Sequence, residues 1–413
     1  MRIAIVGSGI SGLTAAHLLH ADHEITLFET GDRVGGHART VRVEVGGQEH
    51  DVETGFVVYN ETTYPIFTRL LARLGVETQP TGMSFSVSCH RTGVEYCGTS
   101  LRTVFADPRN LARPAFLRML ADVVRFNRRA RELVRRGAPD GTLRDVLASG
   151  RYSRRFLEHY LVPMGAAIWS CDPARILHFP ASFFLRFFDN HGLLRTRRQL
   201  PWRVVRGGSR RYVEALIRPF RERVRTRTPV RSLRREGGGV TLVAEGTQER
   251  FDHAVLAVHG DQALPLLADA TEREREILGA IRYQRNDAVL HTDGRLLPER
   301  ARARASWNYR IPRGGEERPT LTYDMTRLQR LGSAEPICVS LNSESEIDPA
   351  RVLGRATFEH PVFDAAAAAA QRRHGEIGGA SRVHFCGAYW GSGFHEDGAR
   401  SAVAACRWFG KDL

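Results

Sequence analysis

Apolar and polar positions at the start of the chain predict a strand, a helix and a second strand. Arg2–Val6 is short, rich in β-branched residues and followed by glycine, as buried parallel strands are. Ser11–His20 carries the small and apolar residues of a helix, and Glu24–Phe28 is again strand-like. The pattern therefore predicts a βαβ unit over the first thirty or so residues.

Further along the chain, some segments have the spacing of a helix and others the pattern of a strand. Apolar residues at helical spacing predict helices, whereas alternation or a short apolar run predicts a strand. Prolines and paired glycines mark the turns between these segments. An α/β fold without internal repeats is expected. The helices predicted in this way are Ala115–Arg136, Arg154–Trp169, Pro180–Phe188 and one over Ala365–Ala370, and the strands are Arg225–Arg234, Val240–Glu245 and Phe251–Val258.

Length and composition restrict the classes of protein to which the chain can belong. A chain of 413 residues is long for a single core, so two domains are expected. Its six cysteines have neither CxxC nor metal-ligand spacing, which favours reduced thiols, no metal site and a cytoplasmic location. No apolar stretch approaches the length of a membrane span, and glycines interrupt the one segment that resembles a signal peptide.

The charge is the unusual property, with a formal net value of +14. Of the 60 basic residues only Lys411 is a lysine. A basic surface attracts anionic substrates, phospholipid headgroups or nucleic acid. The arginines are spread along the chain without a zinc pattern or an RNA-binding aromatic motif, so a nucleic-acid partner is not expected. Peripheral contact with an anionic membrane surface stays open, as does the oligomeric state.

The first motif with chemical content is Gly7-Ser8-Gly9-Ile10-Ser11-Gly12, a GxGxxG that follows the first strand and begins the helix. Gly7 permits the tight turn, Gly9 lets the backbone approach a pyrophosphate, and Gly12 lets helix and strand pack closely. Glu29 ends the second strand, where a carboxylate accepts hydrogen bonds from ribose hydroxyls. The simpler alternative is a glycine-rich turn without a ligand. The strand, turn, helix and acid follow one another in the order of a dinucleotide-binding motif, which favours binding.

Two further glycine-rich segments favour a flavin dinucleotide over a nicotinamide one. Gly35-Gly36 follows Glu29 at the spacing typical of flavoproteins, and brings backbone to the pyrophosphate a second time. His384–Gly398 reads as a strand, a glycine-rich loop and the start of a helix. A helix N-terminus there would stabilise negative charge on the flavin pyrimidine ring.

With these motifs the sequence resembles the FAD-dependent amine oxidase superfamily, and more closely a bacterial branch of predicted NAD/FAD-binding flavoproteins. The resemblance extends over nearly the whole chain. It implies an FAD-dependent oxidoreductase with non-covalent FAD, built from a discontinuous Rossmann-type FAD-binding domain (1–80, 205–258 and 380–413) and an α+β substrate domain (81–204 and 259–379). The active site should lie between them. The most similar segments are Gly55–Asn60, Met83–Val87, His159–Gly165, Phe187–Gly192, Val205–Ser209 and Gly393–Gly398.

The resemblance also implies which residues contact the cofactor. The AMP and pyrophosphate would be lined by Gly7, Gly9, Ser11, Gly12, Glu29, Arg33, Gly35, Gly36, His37 and Arg39. The flavin would be passed by Thr54, Gly55 and Phe56, and the adenine would meet the backbone of Val230. The pyrophosphate and isoalloxazine would be covered by Gly387, Phe394, His395 and Asp397.

Two departures from the family pattern change the expected reaction. His37 follows the paired glycines where amine oxidases carry arginine, and Arg39 stands two residues on. Many amine oxidases also use a lysine bridged by water to flavin N5, and the lone lysine here, Lys411, lies two residues before the last residue, Leu413. The fatty-acyl desaturase and isomerase members need no such lysine. The expected reaction is therefore hydride transfer from a substrate carbon to the flavin, with desaturation or isomerisation of an apolar, anion-bearing substrate.

Such a substrate needs an apolar channel and a cation. Both sets of candidates have a simpler explanation, because phenylalanines at one-turn spacing usually form core and a single arginine is usually a solvated surface charge. The channel candidates are Phe179, Phe183, Phe184, Phe187 and Phe188, and the candidates for the anionic end are Arg186, Arg203 and Arg206.

Four residues are predicted as catalytic or flavin-facing on their residue type and position. A histidine titrates near neutrality and can move a proton during dehydrogenation, although a loop histidine often only makes a structural hydrogen bond. An amine oxidase of altered mechanism and a non-catalytic flavoprotein are the alternatives; no hydrolase elbow, zinc pair or P-loop is present. The four residues are His191, His395, Tyr323 and Tyr59, with Trp390 as a further aromatic candidate.

Overall fold

A five-stranded parallel sheet forms one side of the protein. The computed structural model describes residues 1–195, 200–314, 318–379 and 381–413. After the central strand, the chain adds strands first on one side of it and later on the other. The connections therefore diverge at the carboxyl ends of the strands and leave a crevice there. In spatial order the strands are Val224–Arg225, Glu24–Phe28, Arg2–Val6, His253–Leu256 and Val383–Phe385.

Helices and small sheets cover this parallel sheet. Ile10–Leu19 packs against His395–Arg407, so the two ends of the chain meet beside the central strand. Further covering elements are the helices Pro65–Arg73, Arg210–Ile217, Gly260–Leu266, Glu272–Gly279 and Ala365–Arg372, and an antiparallel sheet of Val230–Glu236, Gly239–Ala244 and Thr247–Phe251. A hairpin of Thr40–Val45 and Gln48–Glu53 packs instead against a second large sheet.

A seven-stranded mixed sheet forms the other side. A small sheet of Tyr59–Asn60, Trp202–Val205 and Thr78–Thr81 lies where the chain passes between the two sides. In spatial order the seven strands are Val352–Val362, Arg282–His291, Cys338–Leu341, Thr320–Asp324, Trp307–Ile311, Phe85–Cys89 and Val94–Cys97.

A layer of helices packs around this second sheet through an apolar core rich in phenylalanine. Its longest helix, Pro114–Arg135, has a proline in its first turn, where the missing N–H is not needed. The other helices of this layer are Leu101–Val104, Leu143–Ala148, Arg154–Phe156, Val162–Trp169, Pro173–Ile176 and Ala181–Asn190, and Met325–Leu328 packs separately beside the seven-stranded sheet.

The helix predicted over Arg154–Trp169 contains a wider turn. Leu157–Leu161 is π-helical, and the N–H of Val162 donates to the carbonyl of Leu157. Pro163 has no N–H to give to the carbonyl of His159, and the Tyr96 hydroxyl donates to that carbonyl instead, at 2.6 Å. This turn sets the angle from which the following helical residues face the interior.

The α/β fold class predicted from the sequence is confirmed, with two corrections to its elements. The strand predicted over Arg225–Arg234 is two strands in different sheets, because Arg227 adopts a left-handed conformation (φ 54°) and Pro229 cannot continue a ladder. The strand predicted over Phe251–Val258 likewise divides at Asp252 between an antiparallel and the parallel sheet.

The predicted domain limits stay a prediction. The five parallel strands fall within 1–80, 205–258 and 380–413, and the seven-stranded sheet falls within 81–204 and 259–379. The limit at Ala380 lies outside the described residues.

Candidate active site

The glycines of the first motif have the close packing that the motif requires. Gly7 has φ +99°, and a Cβ there would lie 2.7 Å from the carbonyl oxygen of Ala257. A Cβ on Gly12 would lie 1.8 Å from the carbonyl oxygen of Gly7. A side chain at either position would push the first helix away from the sheet.

The third glycine, Gly9, faces open space, since nothing lies within 4 Å of the position a Cβ would take. It is also the N-cap of the helix Ile10–Leu19 and offers no side chain to the first N–H groups of that helix. Those groups are therefore available to an anion, and the positive end of the helix dipole adds to the attraction. The backbone here forms a cradle that fits a diphosphate.

Glu29 is held at the end of the neighbouring strand. Its carboxylate accepts hydrogen bonds from the N–H of Ser8 (3.1 Å), from the N–H of Gly31 (2.8 Å) and from the Ser8 hydroxyl. These bonds fix the carboxylate between the first glycine loop and the loop that follows it. It lines the same cavity as Gly9, as expected of an acid that binds a ribose.

The second glycine pair returns to the first loop. Gly35 and Gly36 both have positive φ, and a Cβ on Gly36 would lie 3.0 Å from the Cα of Gly9. Arg33 donates to the carbonyl oxygens of Gly36 (2.9 Å) and Ala38 (3.1 Å), so its guanidinium shapes this turn. Arg39 contributes its carbonyl, which accepts from the N–H of Thr54 at 2.9 Å.

His37 does not replace the positive charge that an arginine at this position would provide. Its Nε2–H donates to the carbonyl of Glu359 at 3.1 Å. Burial, together with the neighbouring His259, lowers the pKa of His37 to about 4, so the ring is neutral at neutral pH. A charge on the phosphate is therefore not neutralised by this side chain, and the backbone N–H groups carry more of the binding.

The segment Thr54–Phe56 lies against this loop. A Cβ on Gly55 would lie 2.1 Å from the carbonyl of His37, and the N–H of Phe56 donates to the same carbonyl at 3.0 Å. The Phe56 ring stacks on His395, with ring centroids 3.5 Å apart and an interplanar angle of 11°. Residues from opposite ends of the chain thus meet at one point.

The helix His395–Arg407 presents its N-terminus to the same place. Asp397 accepts hydrogen bonds from the N–H groups of Ser392 (2.9 Å) and Phe394 (3.1 Å) and pairs with Arg400, which closes the loop before the helix. Burial raises the pKa of Asp397. The side chain of Asp397 therefore caps the helix and does not line the cavity, whereas Gly387, Phe394 and His395 do.

His395 is buried between aromatic rings. Its ring stacks on Phe56, and its Nε2 lies 2.8 Å from the hydroxyl of Tyr212. Burial lowers the pKa of His395 well below its usual value, so the ring is neutral. This arrangement makes His395 a flat, uncharged wall.

These residues line one half of a cavity of about 630 Å³ that continues into the helical layer. We call the part lined by the glycine loops the dinucleotide half; Thr30, Thr228 and Val230 extend it along the parallel sheet. The other part, the apolar half, is lined mostly by hydrophobic side chains, including Met83, Met119, Leu120, Val123, Met164, Ile168, Trp169 and Phe363.

His191 and Tyr323 stand on the apolar half. The His191 Nδ1–H donates to the carbonyl of Phe187 at 3.0 Å, and the ring stacks on Phe187. Burial lowers the pKa of His191 to about 4, which leaves Nε2 as an unprotonated acceptor. Burial raises the pKa of Tyr323, whose hydroxyl interacts with Ser170.

The prediction that Tyr59 is catalytic needs correction, because the residue lies in the core. Its ring is 2% exposed, packs edge-on against Phe67 and Tyr64, and belongs to the core beneath the parallel sheet. It is not among the residues that line the cavity. Trp390 is also turned away, since it stacks on His374 outside the cavity lining.

The predicted channel and its cation also need correction. Phe187 lines the cavity, Phe183 lines a neighbouring cleft, and Phe179, Phe184 and Phe188 are buried in the helical core. All three pack against Trp169 within that core. None of the three predicted arginines lines the cavity: Arg186 donates to the Gly137 carbonyl, Arg203 to Thr78, and Arg206 to Glu77.

Several cavity residues escaped the sequence prediction. Arg195 is the arginine that lines the cavity within the described ranges, and Trp307 also lines it, with its indole N–H buried without a hydrogen-bond partner in the described part of the chain. His259 and His360 lie beside His37, with ring centroids 5.8 and 5.4 Å from it. Spacing in the sequence carries no signal for these residues, because distant strands bring them together.

Two further observations concern metal ligands and membrane spans. Among the described residues there is no cluster of histidine, cysteine, aspartate or glutamate that could hold a metal ion. Over the same ranges, no helix combines the length and apolar character of a membrane span.

The glycine cradle, the carboxylate fixed beside it and the second glycine-rich end define a dinucleotide-binding protein of α/β architecture. A family model described as flavin containing amine oxidoreductase matches residues 10–314. The chain therefore belongs to the flavin-containing amine oxidoreductase family, which confirms the resemblance seen in the sequence. Membership makes FAD the cofactor and places the chain among FAD-dependent oxidoreductases, as predicted.

Individual relatives are distant. The protein named as flavin-containing monoamine oxidase AofH in Mycobacterium tuberculosis is 26% identical over 274 residues, which are 62% of this chain and 56% of AofH. The chain thus matches about half the length of that relative.

Solved structures share the fold over the whole chain. Cyclohexylamine oxidase from Brevibacterium oxydans superimposes with a TM-score of 0.70 at 17% identity and covers 99% of both chains. A fatty acid isomerase from P. acnes, described as CLA-producing, gives a TM-score of 0.71 at 17% identity over 99% of this chain and 98% of its own. Identities this low show the fold alone.

Proposed function

We propose that the protein desaturates or isomerises an apolar, fatty-acyl-like substrate that carries an anionic group. The observation that carries the proposal is the composition of the apolar half. The two carboxylates on the described cavity lining, Glu29 and Glu359, both lie in the dinucleotide half beside the glycine loops and His37. The lone lysine, Lys411, pairs with Asp22 elsewhere. A cationic amine would find no counter-charge in the apolar half.

FAD, when bound, supplies the acceptor for a hydride from a substrate carbon. The chain's own residues would place that carbon and exclude water. Met119, Leu120 and Val123 present one face of the helix Pro114–Arg135 to the cavity, and Met164 and Ile168 present another helix to it. Flexible methionine and branched aliphatic side chains suit an alkyl chain of variable shape.

His191 is the residue we propose for proton transfer. With Nδ1–H committed to the Phe187 carbonyl, its Nε2 lone pair is the basic atom on the cavity wall. A lowered pKa keeps the ring neutral at neutral pH, so Nε2 is unprotonated and can act as a weak base. Tyr323 would act as a neutral donor, since its raised pKa keeps the hydroxyl protonated.

Arg195 would hold the polar end of the substrate. It is exposed at the edge of the cavity and supplies a cation for a carboxylate or phosphate. Trp307 contributes its ring to the cavity lining, while its indole N–H is buried away from the cavity space. Arg195 replaces the predicted set of Arg186, Arg203 and Arg206.

The test is anaerobic mixing of the purified FAD-loaded protein with palmitoleate, oleate, linoleate and their coenzyme A thioesters. Net oxidation would bleach the flavin absorbance, and a redox-neutral isomerisation would yield a shifted double bond that mass spectrometry detects. Neither bleaching nor product across the panel would reject the proposal.

The relative named as a monoamine oxidase keeps amine oxidation by an altered mechanism as the second candidate. It predicts hydrogen peroxide from primary amines in air, measured by a coupled peroxidase assay. A protein that binds FAD but turns over neither class of compound would instead be a non-catalytic flavoprotein.

A further inference from the structure

Large apolar side chains are concentrated on one short stretch of the surface. Six such side chains are exposed within the described ranges, and four of them lie between residues 101 and 124. Exposed leucines are common singly, but several on elements that contact one another indicate an interaction surface. The turn Pro108–Ala112 contacts the helix Pro114–Arg135, and Phe105, which follows the helix Leu101–Val104, packs against Phe116. The exposed fractions of the four side chains are 78% for Leu101, 58% for Leu111, 42% for Leu117 and 59% for Val124.

Helix geometry connects this cluster to the cavity. Leu117, Ala121 and Val124 follow one another at the i, i+4, i+7 spacing of a single exposed stripe on the helix Pro114–Arg135. The adjoining stripe of the same helix includes Leu120 and Val123, which line the apolar half of the cavity. The helix Pro114–Arg135 therefore lies between the exposed apolar side chains and the apolar half of the cavity, and only its width separates the two.

The short helix Leu101–Val104 repeats this arrangement. Leu101 is exposed, whereas Val104, one turn on, lines the cavity. Two elements thus carry an apolar residue outward and another inward at the same region of the protein.

The same stretch holds much of the positive charge. Residues 101–136 contain ten arginines and three acidic residues, which is half of the formal net charge of +14. Arg118 and Arg125 pair with the buried Asp122. Arg102 and Arg128 are exposed and make no hydrogen bond or ion pair with any described residue. Their charge is available to an external anion.

We propose that this surface binds an anionic lipid bilayer. We call it the docking face and define it by Leu101, Leu111, Leu117, Val124, Arg102 and Arg128. Exposed leucines beside unpaired arginines match the two parts of a lipid surface, because the leucines enter the acyl boundary while the arginines contact anionic headgroups. A second copy of the chain would bring the same cationic surfaces together, and like charges disfavour that contact.

The docking face gives the apolar half a source of substrate. A protein seated on a bilayer by this surface would have its apolar half directly behind the bound helices, so an acyl chain need not cross water to reach it. This consequence rests on the proposed acyl substrate, whereas the binding itself does not.

The test is flotation of the FAD-loaded protein with vesicles of phosphatidylcholine alone and of equal parts phosphatidylcholine and phosphatidylglycerol. The expected result is binding to the mixed vesicles, weaker binding at higher salt and little binding to the neutral ones. Equal binding to both, or to neither, would overturn the proposal.

Variants locate the surface. R102E/R128E and L117E/V124E should each weaken binding to the mixed vesicles by about tenfold or more. The control R221E/R234E removes the same charge from two other exposed arginines that have no side-chain partner in the described ranges, and it should bind as the original protein does. Equal losses in the control would show that net charge alone drives binding, which contradicts a defined face.

Two companion measurements separate the outcomes. Unchanged FAD content and far-UV circular dichroism in each variant show that the fold is intact. Light scattering reports the oligomeric state, and an oligomer that L117E/V124E dissociates would assign the face to a second copy and overturn the proposal. Vesicle binding without turnover of any acyl substrate would leave the docking face standing while the proposed function fails.

Discussion

The two halves of the cavity are built in different ways. In the dinucleotide half the contacts depend on backbone: Gly7 and Gly12 pack with no room for a Cβ, and Gly9 leaves space and free N–H groups for a diphosphate. In the apolar half they depend on side chains from distant elements, such as Met119 and Tyr323. Backbone geometry tolerates few residue types, whereas an apolar wall tolerates many. The first half can therefore remain constant in a family whose members differ in substrate.

The largest effect is expected from a side chain in the dinucleotide half. Gly12→Val places its Cβ 1.8 Å from the Gly7 carbonyl, so helix and strand must separate and the diphosphate site is lost. We expect the purified variant to be colourless, with an FAD content near zero by absorbance. Gly82→Ala is the control, because open space surrounds Gly82 and it lacks a positive φ. A yellow Gly12→Val protein would contradict the assignment.

The next effect concerns the apolar half, where His191→Gln should lower kcat by roughly a hundredfold or more, the usual contribution of a positioned acid or base. FAD content should stay unchanged, because His191 is separate from the glycine loops. Tyr59→Phe should leave kcat within about twofold, since its ring lies in the core. Stopped-flow measurement of flavin reduction gives both values. A larger loss from Tyr59→Phe than from His191→Gln would reverse the two assignments.

Acid should lower the stability of the whole folded protein, including both halves of the cavity. Burial lowers the pKa of six histidines to about 4, and an unfolded chain holds these groups near their ordinary 6.5. Between the two values the unfolded state binds more protons, so the free energy of unfolding is greatest above about pH 6.5 and falls as pH decreases toward about 4. The six are His37, His159, His191, His259, His291 and His384.

Thermal unfolding measured from about pH 7 to about pH 5 should show a decrease in Tm of several degrees. His291→Asn should flatten that dependence, because it removes one buried ring. Exposed His178→Gln is the control and should not change the slope. A Tm that is constant over this range would mean that the buried histidines are protonated as easily as in the unfolded chain.

The smallest effect should be one of selectivity. Val123→Trp adds volume inside the apolar half, so KM for the longest acyl chains should rise by about tenfold while short chains are accepted as before. FAD content should not change. A uniform change for all chain lengths would argue that the substrate does not lie along the helix Pro114–Arg135.

The same contrast explains how much could be predicted from the sequence. Gly7 and Gly12 could be recognised because close backbone packing restricts both residue type and spacing. Glu29 could be placed beside them because it follows the neighbouring strand. The fold class followed from the same βαβ pattern. Division of Arg225–Arg234 into two strands was missed because alternation continues across the left-handed turn at Arg227.

The apolar half could not be predicted in this way. Phe184 and Phe187 have the same residue type and lie on the same helix, yet one is core and the other lines the cavity. Both rings contact Trp169 on another helix, so that contact does not separate them. Which ring reaches the cavity depends on how the whole helix Ala181–Asn190 packs. Tyr59 was misassigned for the same reason. Trp307 and Arg195 carried no local signal at all.

The most direct test of the account is a crystal structure of the FAD-loaded protein with oleate. We predict FAD along Gly9 and Glu29, and the acyl chain along Met119, Leu120 and Val123 with its carboxylate toward Arg195. An alkyl chain bound elsewhere, with the apolar half unchanged, would contradict the central claim that this half is the substrate site.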